Sequence, residues 1–321
     1  MLNRAEIIIA GKKTIEEEIF EVQKLSERIS ESFADAVQLI ANSNARVVVT
    51  GIGKSANIGA KIVATLNSTG TPATFMHAVD AIHGDLGIIQ KNDVVIVISK
   101  SGNTPEIKVL VSLLKSLGNK IVAIVGNIDS TLAKQSDIVL DTTVEKEACP
   151  NNLAPTSSTT AQLIMGDALA VSLLKNNNFS EKDFAKFHPG GALGKKLYLR
   201  IEALAIENEK PAVDINDKIR KIILEISSKR LGATAVIEND KLVGIITDGD
   251  LRRMMERYKD VDPLTAREIM SKNPRTLDKN QLAVDAFKIM KDNNITQLLV
   301  TSEDKYFGVI HLHDILKEGI L

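Results

Sequence analysis

Val94-Val95-Ile96-Val97-Ile98-Ser99-Lys100-Ser101-Gly102-Asn103-Thr104-Pro105 sets an unbroken β-branched run against a polar turn that holds a glycine and closes on a proline. An apolar run without polar alternation suits a strand covered on both faces. Hydroxyls around a glycine at the opening of the next helix-length stretch form a turn where backbone N–H groups converge. The same grammar recurs on both sides. Val47-Val48-Val49, Ala73 to Met76, Ile121 to Val125 and Ile138-Val139-Leu140 read as further buried strands, with Ser55 to Ser68 and Pro105 to Leu117 as helices that follow polar, glycine-containing turns. This alternation predicts an α/β fold with a doubly wound parallel sheet of five strands flanked by helices. Ahead of it, Ile8, Ile15, Ile19, Val22, Leu25, Ile29, Phe33, Val37 and Ile40 recur at threes and fours, which predicts one or two long leading helices. Behind it, Thr156 to Lys175 follows Pro155 with hydroxyl residues suited to capping and reads as the last helix of this domain, expected to end near His188 to Gly194.

Length and composition agree with more than one core. At 321 residues with 44% apolar content the chain has material for two folded units. Forty basic against 41 acidic residues leave a net charge of −1, which excludes a broad field attracting nucleic acid or an anionic membrane. Cys149 is the only cysteine, so no intramolecular disulfide forms, in keeping with a reducing compartment. The N-terminal residues carry charges every few positions, and no apolar run approaches the roughly 20 residues that span a bilayer. A soluble, cytoplasmic protein is expected.

Beyond residue 205 the sequence repeats with an offset of 64: Ile226 falls on Met290, Val236 on Val300, Gly244 on Gly308, Ile246 on Ile310 and Asp250 on Asp314. Each copy reads as an apolar helix, two short strands around a polar turn, and a closing helix after an acidic residue. Leu242-Val243-Gly244-Ile245-Ile246-Thr247-Asp248-Gly249-Asp250-Leu251 and Ile269-Met270-Ser271-Lys272-Asn273-Pro274 resemble paired CBS modules. The resemblance implies an appendage that senses a regulatory nucleotide or builds oligomers, with modules at 205–264 and 269–321. His311-Leu312-His313 replaces Thr247-Asp248-Gly249 in the second copy and weakens any second nucleotide site.

Three readings compete for Thr50-Gly51-Ile52-Gly53-Lys54-Ser55, between the first strand and its helix. A Walker P-loop needs glycine five residues before Gly53, where Val48 stands. A dinucleotide fingerprint fits Gly51, Gly53 and Ala56, with Asp80 as the ribose acid. The third strand favours a sugar phosphate: hydroxyls and amides at two adjacent strand ends make a compact monophosphate pocket, whereas a dinucleotide has no need of the second loop. Simple helix capping by these serines is the plain structural alternative.

The chain resembles the arabinose 5-phosphate isomerase branch of the sugar-isomerase (SIS) superfamily over residues 40 to 197. The matching stretches are Gly51 to Ser55, Ser68-Thr69-Gly70-Thr71-Pro72, His83-Gly84-Asp85-Leu86-Gly87, Glu147-Ala148-Cys149-Pro150, Leu153 to Thr160, and His188-Pro189-Gly190-Gly191-Ala192-Leu193-Gly194. Lys100 departs from the pattern, since relatives usually carry Asn there. The resemblance implies an SIS domain at 1–200 and reversible conversion of D-ribulose 5-phosphate into D-arabinose 5-phosphate, toward Kdo and lipopolysaccharide. It also implies a homotetramer with His188 reaching a neighbouring subunit's site, no required cofactor, and inhibitory zinc at His77.

Aldose–ketose isomerisation moves a proton between C1 and C2 through an enediolate and needs a base, a carbonyl polariser and a shuttle between oxygens. Glu106, opening the helix after the serine loop, is the first candidate for the base. Lys54 is placed to neutralise the enediolate or bind phosphate, and His188 to carry protons between O1 and O2. Glu147 is assigned an orienting or second acid–base role. Ser55, Gly70, Thr71, His77, His83, Ser99, Ser101 and Thr104 complete the expected substrate contacts. A sugar-phosphate sensor without catalysis is the alternative from another class.

Overall fold

The computed structural model describes residues 2–320. The chain divides into two compact units, one ending at Phe187 and the other beginning at His188. Ile201, Leu204 and Ala205, with Leu199 packed against them, are buried in a core shared with Leu277, Ala283 and Met290 inside the second unit.

The first unit opens with α1 (Arg4–Gln23), a 3-10 turn at Lys24–Arg28 and α2 (Glu31–Asn42). There follow β1 (Val47–Gly51), α3 (Lys54–Ser68), β2 (Ala73–His77), α4 (Ala78–Ala81), β3 (Val94–Ser99), α5 (Pro105–Leu117), β4 (Lys120–Val125), α6 (Thr131–Gln135), β5 (Ile138–Asp141), α7 (Ser157–Asn176) and α8 (Glu181–Phe187). The sheet runs β2-β1-β3-β4-β5 with every pairing parallel. Strand residues alternate between two cores, as the pleat requires. Val47, Val49, Ile96, Ile98, Val122 and Ile124 pack with α2, α3 and α7. Val48, Val95, Val97, Ile121, Ala123 and Val125 pack with α5 and α6 on the other face.

From β1 the chain winds outward to β2, then returns across β1 to start β3. The reversal puts a topological switch point between β1 and β3, where the loops leaving their carboxyl ends diverge and leave a crevice. Gly51 is opposite Ile98 in the register, so both expected phosphate loops leave the sheet at this crevice.

The leading helix departs from its expected burial. Ile8, Ile15 and Ile19 are exposed, as are Ile7, Ile9 and Phe20. The one buried residue of α1 is Glu21, whose Oε2 accepts from Glu145 N at 2.9 Å. The helical period is present, but among the described residues no surface covers these isoleucines.

The second unit contains α9 (Ala192–Tyr198), α10 (Ile201–Glu207), β6 (Ala212–Asp214), α11 (Ile219–Lys229), β7 (Ala233–Glu238), β8 (Lys241–Thr247), α12 (Asp248–Arg257), α13 (Ala266–Ile269), β9 (Ser271–Lys272), β10 (Thr276–Asp278), α14 (Ala283–Asn293), β11 (Gln297–Ser302), β12 (Lys305–His311) and α15 (Leu312–Lys317). The repeat recurs in the element boundaries: β6, α11, β7 and β8 correspond to β10, α14, β11 and β12 at the same offset. Even the register irregularity recurs, between Val236 and Ile237 and between Val300 and Thr301. Thr247 and Asp250 form a capping box on α12, which His311 and Asp314 reproduce on α15. Ala235 joins Leu299, Tyr306 and Val309 in one small core, so the two copies fold as a single body.

Candidate active site

Two helix starts meet at the switch point, and neither is capped by a side chain. Gly53, at φ +57°, precedes α3, and Thr104 precedes α5, whose first residue is Pro105. The hydroxyls expected to cap α5 are used differently. Ser99 Oγ accepts from Gly102 N at 3.0 Å and Ser101 Oγ from Asn103 N at 3.3 Å, so both shape the turn itself. Thr104 Oγ1 is buried without a hydrogen-bond partner. An unsatisfied buried hydroxyl costs free energy that a ligand's oxygen recovers. The uncapped N–H groups and the positive ends of both helices favour an anion at the same place.

The third wall comes from α7. Pro155, Ser158, Thr159 and Gln162 enclose, with Lys54, Ser55, Ser99, Lys100, Ser101 and Thr104, a cavity of about 310 Å³. Ser55 Oγ donates to Gln162 Oε1 at 3.1 Å, which ties α3 to this wall. The hydroxyl-rich opening of α7 reads in sequence as a cap, but its cap is Glu147. Oε2 of Glu147 accepts from Thr156 N at 2.7 Å and Ser158 N at 3.2 Å, while Oε1 accepts from Ser158 Oγ at 2.6 Å. Lys100 Nζ donates to Oε1 at 2.5 Å. Burial alone would raise this carboxyl, but the hydrogen bonds from Lys100, Ser158 and Thr156 outweigh it and hold Glu147 at about 2.

Lys54, Ser55, Ser99, Ser101 and Thr104 therefore share one cavity. Lys54 also borders a second hollow of about 480 Å³ with Gly53, Phe75 and His77. Glu106 is a half-buried first-turn residue of α5, two positions beyond Thr104. His83 lies in an exposed turn past α4. His188 opens the other compact unit, where its carbonyl accepts from Gly191 N at 3.1 Å.

Gly70 and Thr71 require a correction. They precede β2 and lie at the amino edge of the sheet, where they line a separate cavity of about 630 Å³ with Arg46, Asp93 and Asn177. In a parallel sheet the residues before a strand and those after it stand on opposite edges, so within one chain these two do not share the cradle. Glu147, for which the sequence left an orienting or a second acid–base role, is surrounded by five donors that hold its carboxylate at the start of α7. His77 Nδ1 lies 3.9 Å from Asp80 Oδ2, and among the described residues no group of three or more metal-ligating side chains exists. Ser158, Thr159 and Gln162 are the wall residues that sequence reasoning missed as ligand contacts. The signal was there, in hydroxyls at a helix start beside a conspicuous acid, but only the fold shows that the acid does the capping.

Family models agree with this architecture: the SIS domain model matches residues 39–172, and the CBS domain model matches 205–257 and 266–320. Fold and cradle thus define an SIS-domain protein with an appended CBS pair. The chain is 49% identical to arabinose 5-phosphate isomerase KdsD of Francisella tularensis over 95% of each chain. It is 44% identical to that of Pseudomonas aeruginosa over 100% of this chain and 99% of the relative. The solved structure of Escherichia coli CFT073 c3406 in complex with A5P is 37% identical, with a TM-score of 0.57 over 59% of this chain and 100% of that one. The chain belongs to the arabinose 5-phosphate isomerase family.

Proposed function

We propose that this chain interconverts D-ribulose 5-phosphate and D-arabinose 5-phosphate through an enediolate, a supply step for Kdo. The observation that carries the reading is the cradle at the β1–β3 switch point, where two uncapped helix starts and the unpartnered Thr104 hydroxyl border one cavity beside Lys54. The phosphate docks against these N–H groups and hydroxyls, which brings C1 and C2 toward Lys54 and the first turn of α5. Glu106 takes the C1 proton and returns one to C2, and the Lys54 ammonium offsets charge on the enediolate oxygen. His188, supplied by a neighbouring subunit of a homotetramer, moves the proton between O1 and O2. Assembly is supported by the exposed isoleucines of α1, an apolar face that a second copy would cover.

Cytoplasmic residence belongs to the same proposal, supported by the single cysteine. Among the described residues no helix is long and apolar enough to cross a membrane. A regulatory nucleotide at the CBS pair is a further part, for which calorimetry with adenine and cytidine nucleotides is the direct measurement. Incubation with D-ribulose 5-phosphate in deuterated water tests the reaction. Arabinose 5-phosphate carrying deuterium at C2 is the expected product, and unchanged, unlabelled ketose removes the reading.

A further inference from the structure

Lys100 stands between Ser99 and Ser101 in the turn that closes the cradle, and with Lys54 it brings a second ammonium to the cavity wall. Its side chain is 45% exposed, while that of its partner Glu147 is fully buried. The bond to Glu147 Oε1 uses one of the three N–H donors of the ammonium and leaves two for a ligand. Glu147 has no such spare capacity. Besides Lys100 it accepts from Ser158 Oγ and N and from Thr156 N and Oγ1, so taking a proton would release the start of α7.

We propose that Lys100 selects for a phosphorylated sugar: Glu147 holds its ammonium at the cradle, where it binds the phosphate dianion beside the two helix starts, and Glu147 is a positioning residue that exchanges no proton in the reaction. The proposal rests on the sugar-phosphate reading of the cradle. It gives a task to the one lysine of the serine loop, whose charge stands where the dianion docks. A dianion between the Lys100 ammonium and two helix starts gains charge-assisted hydrogen bonds that a neutral sugar does not.

The test compares wild type with Lys100→Asn, Lys100→Arg, Glu147→Gln and the double variant Lys100→Asn/Glu147→Gln. Steady-state isomerisation is measured together with calorimetric binding of inorganic phosphate. Lys100→Asn is expected to raise KM and the phosphate Kd by about tenfold to hundredfold while kcat stays within about threefold, and Lys100→Arg to recover most of the loss. Glu147→Gln is expected to reproduce the KM effect with an unshifted pH profile of kcat, and the double variant to be no weaker than the worse single one. Unchanged KM and phosphate Kd in a folded Lys100→Asn overturn the proposal. So does a Glu147→Gln variant whose kcat falls more than about a hundredfold with a limb of its pH profile gone. Should Glu147→Gln fail to fold, the two Lys100 variants decide alone. A wild type that binds phosphate but turns over no ribulose 5-phosphate removes the reaction assigned above, whereas the phosphate Kd of Lys100→Asn still judges the role of Lys100.

Discussion

Glu147 shows how far a residue's task depends on its neighbours. By type and motif it belongs with acid–base groups, yet its contacts make it the cap of α7 and the anchor of Lys100. The pH consequence has a definite sign. The fold lowers its carboxyl from 4.5 to about 2, so the native state binds this proton less readily than the unfolded chain. The stability it contributes is complete above about pH 4.5 and is lost as pH falls toward about 2. The melting-temperature gap between wild type and Glu147→Gln should therefore shrink between about pH 5 and about pH 2.5, and a constant gap removes this account. Glu106 is the contrasting case, a half-buried carboxylate in the first turn of α5 that caps no helix. Glu106→Gln should lower kcat by more than about a hundredfold with KM within about threefold, measured in steady state, as expected for a base engaged in the transition state. Near-normal turnover would pass that role to another group.

At the scale of elements, the serine turn owes its shape to Gly102. Its φ is +63°, and a Cβ there would stand 2.1 Å from Ser130 Oγ. Ser130 is itself the cap of α6, accepting from Ala133 N at 3.2 Å. Gly102→Ala should thus strain the turn and displace a cap at once, at a cost of about 1–3 kcal/mol in urea denaturation, with a weaker phosphate affinity by calorimetry. An unaltered denaturation midpoint would mean that Ser130 yields freely. The helices and strands around this turn were legible from sequence because their signals are local: β-branched runs marked β1 to β5, and Pro105 marked the first residue of α5. What caps α7 was not legible, because Glu147 stands well before Thr156 in the irregular β5–α7 connection, beyond the spacing of a local cap.

Across the whole molecule, the period of α1 correctly announced a helix but not where its apolar side would go. Ile8, Ile15 and Ile19 stay exposed on the single chain, an arrangement suited to burial against a second copy. Replacing Ile8 and Ile15 together with Glu should shift the protein toward a smaller species in light scattering while its far-ultraviolet circular dichroism is retained. An unchanged mass would show that α1 lies outside the assembly contact. By itself, the sequence determined the sheet, the tandem repeat and the two anion loops, because hydrophobic period, turn chemistry and repeat offset are all written along the chain. Only the tertiary structure decided which edge of the sheet each motif occupies. It moved Gly70 and Thr71 away from the cradle, added the start of α7 as a wall, and turned Glu147 into an ionised cap. These outcomes depend on strand direction and on contacts between residues far apart in sequence, which no local pattern records.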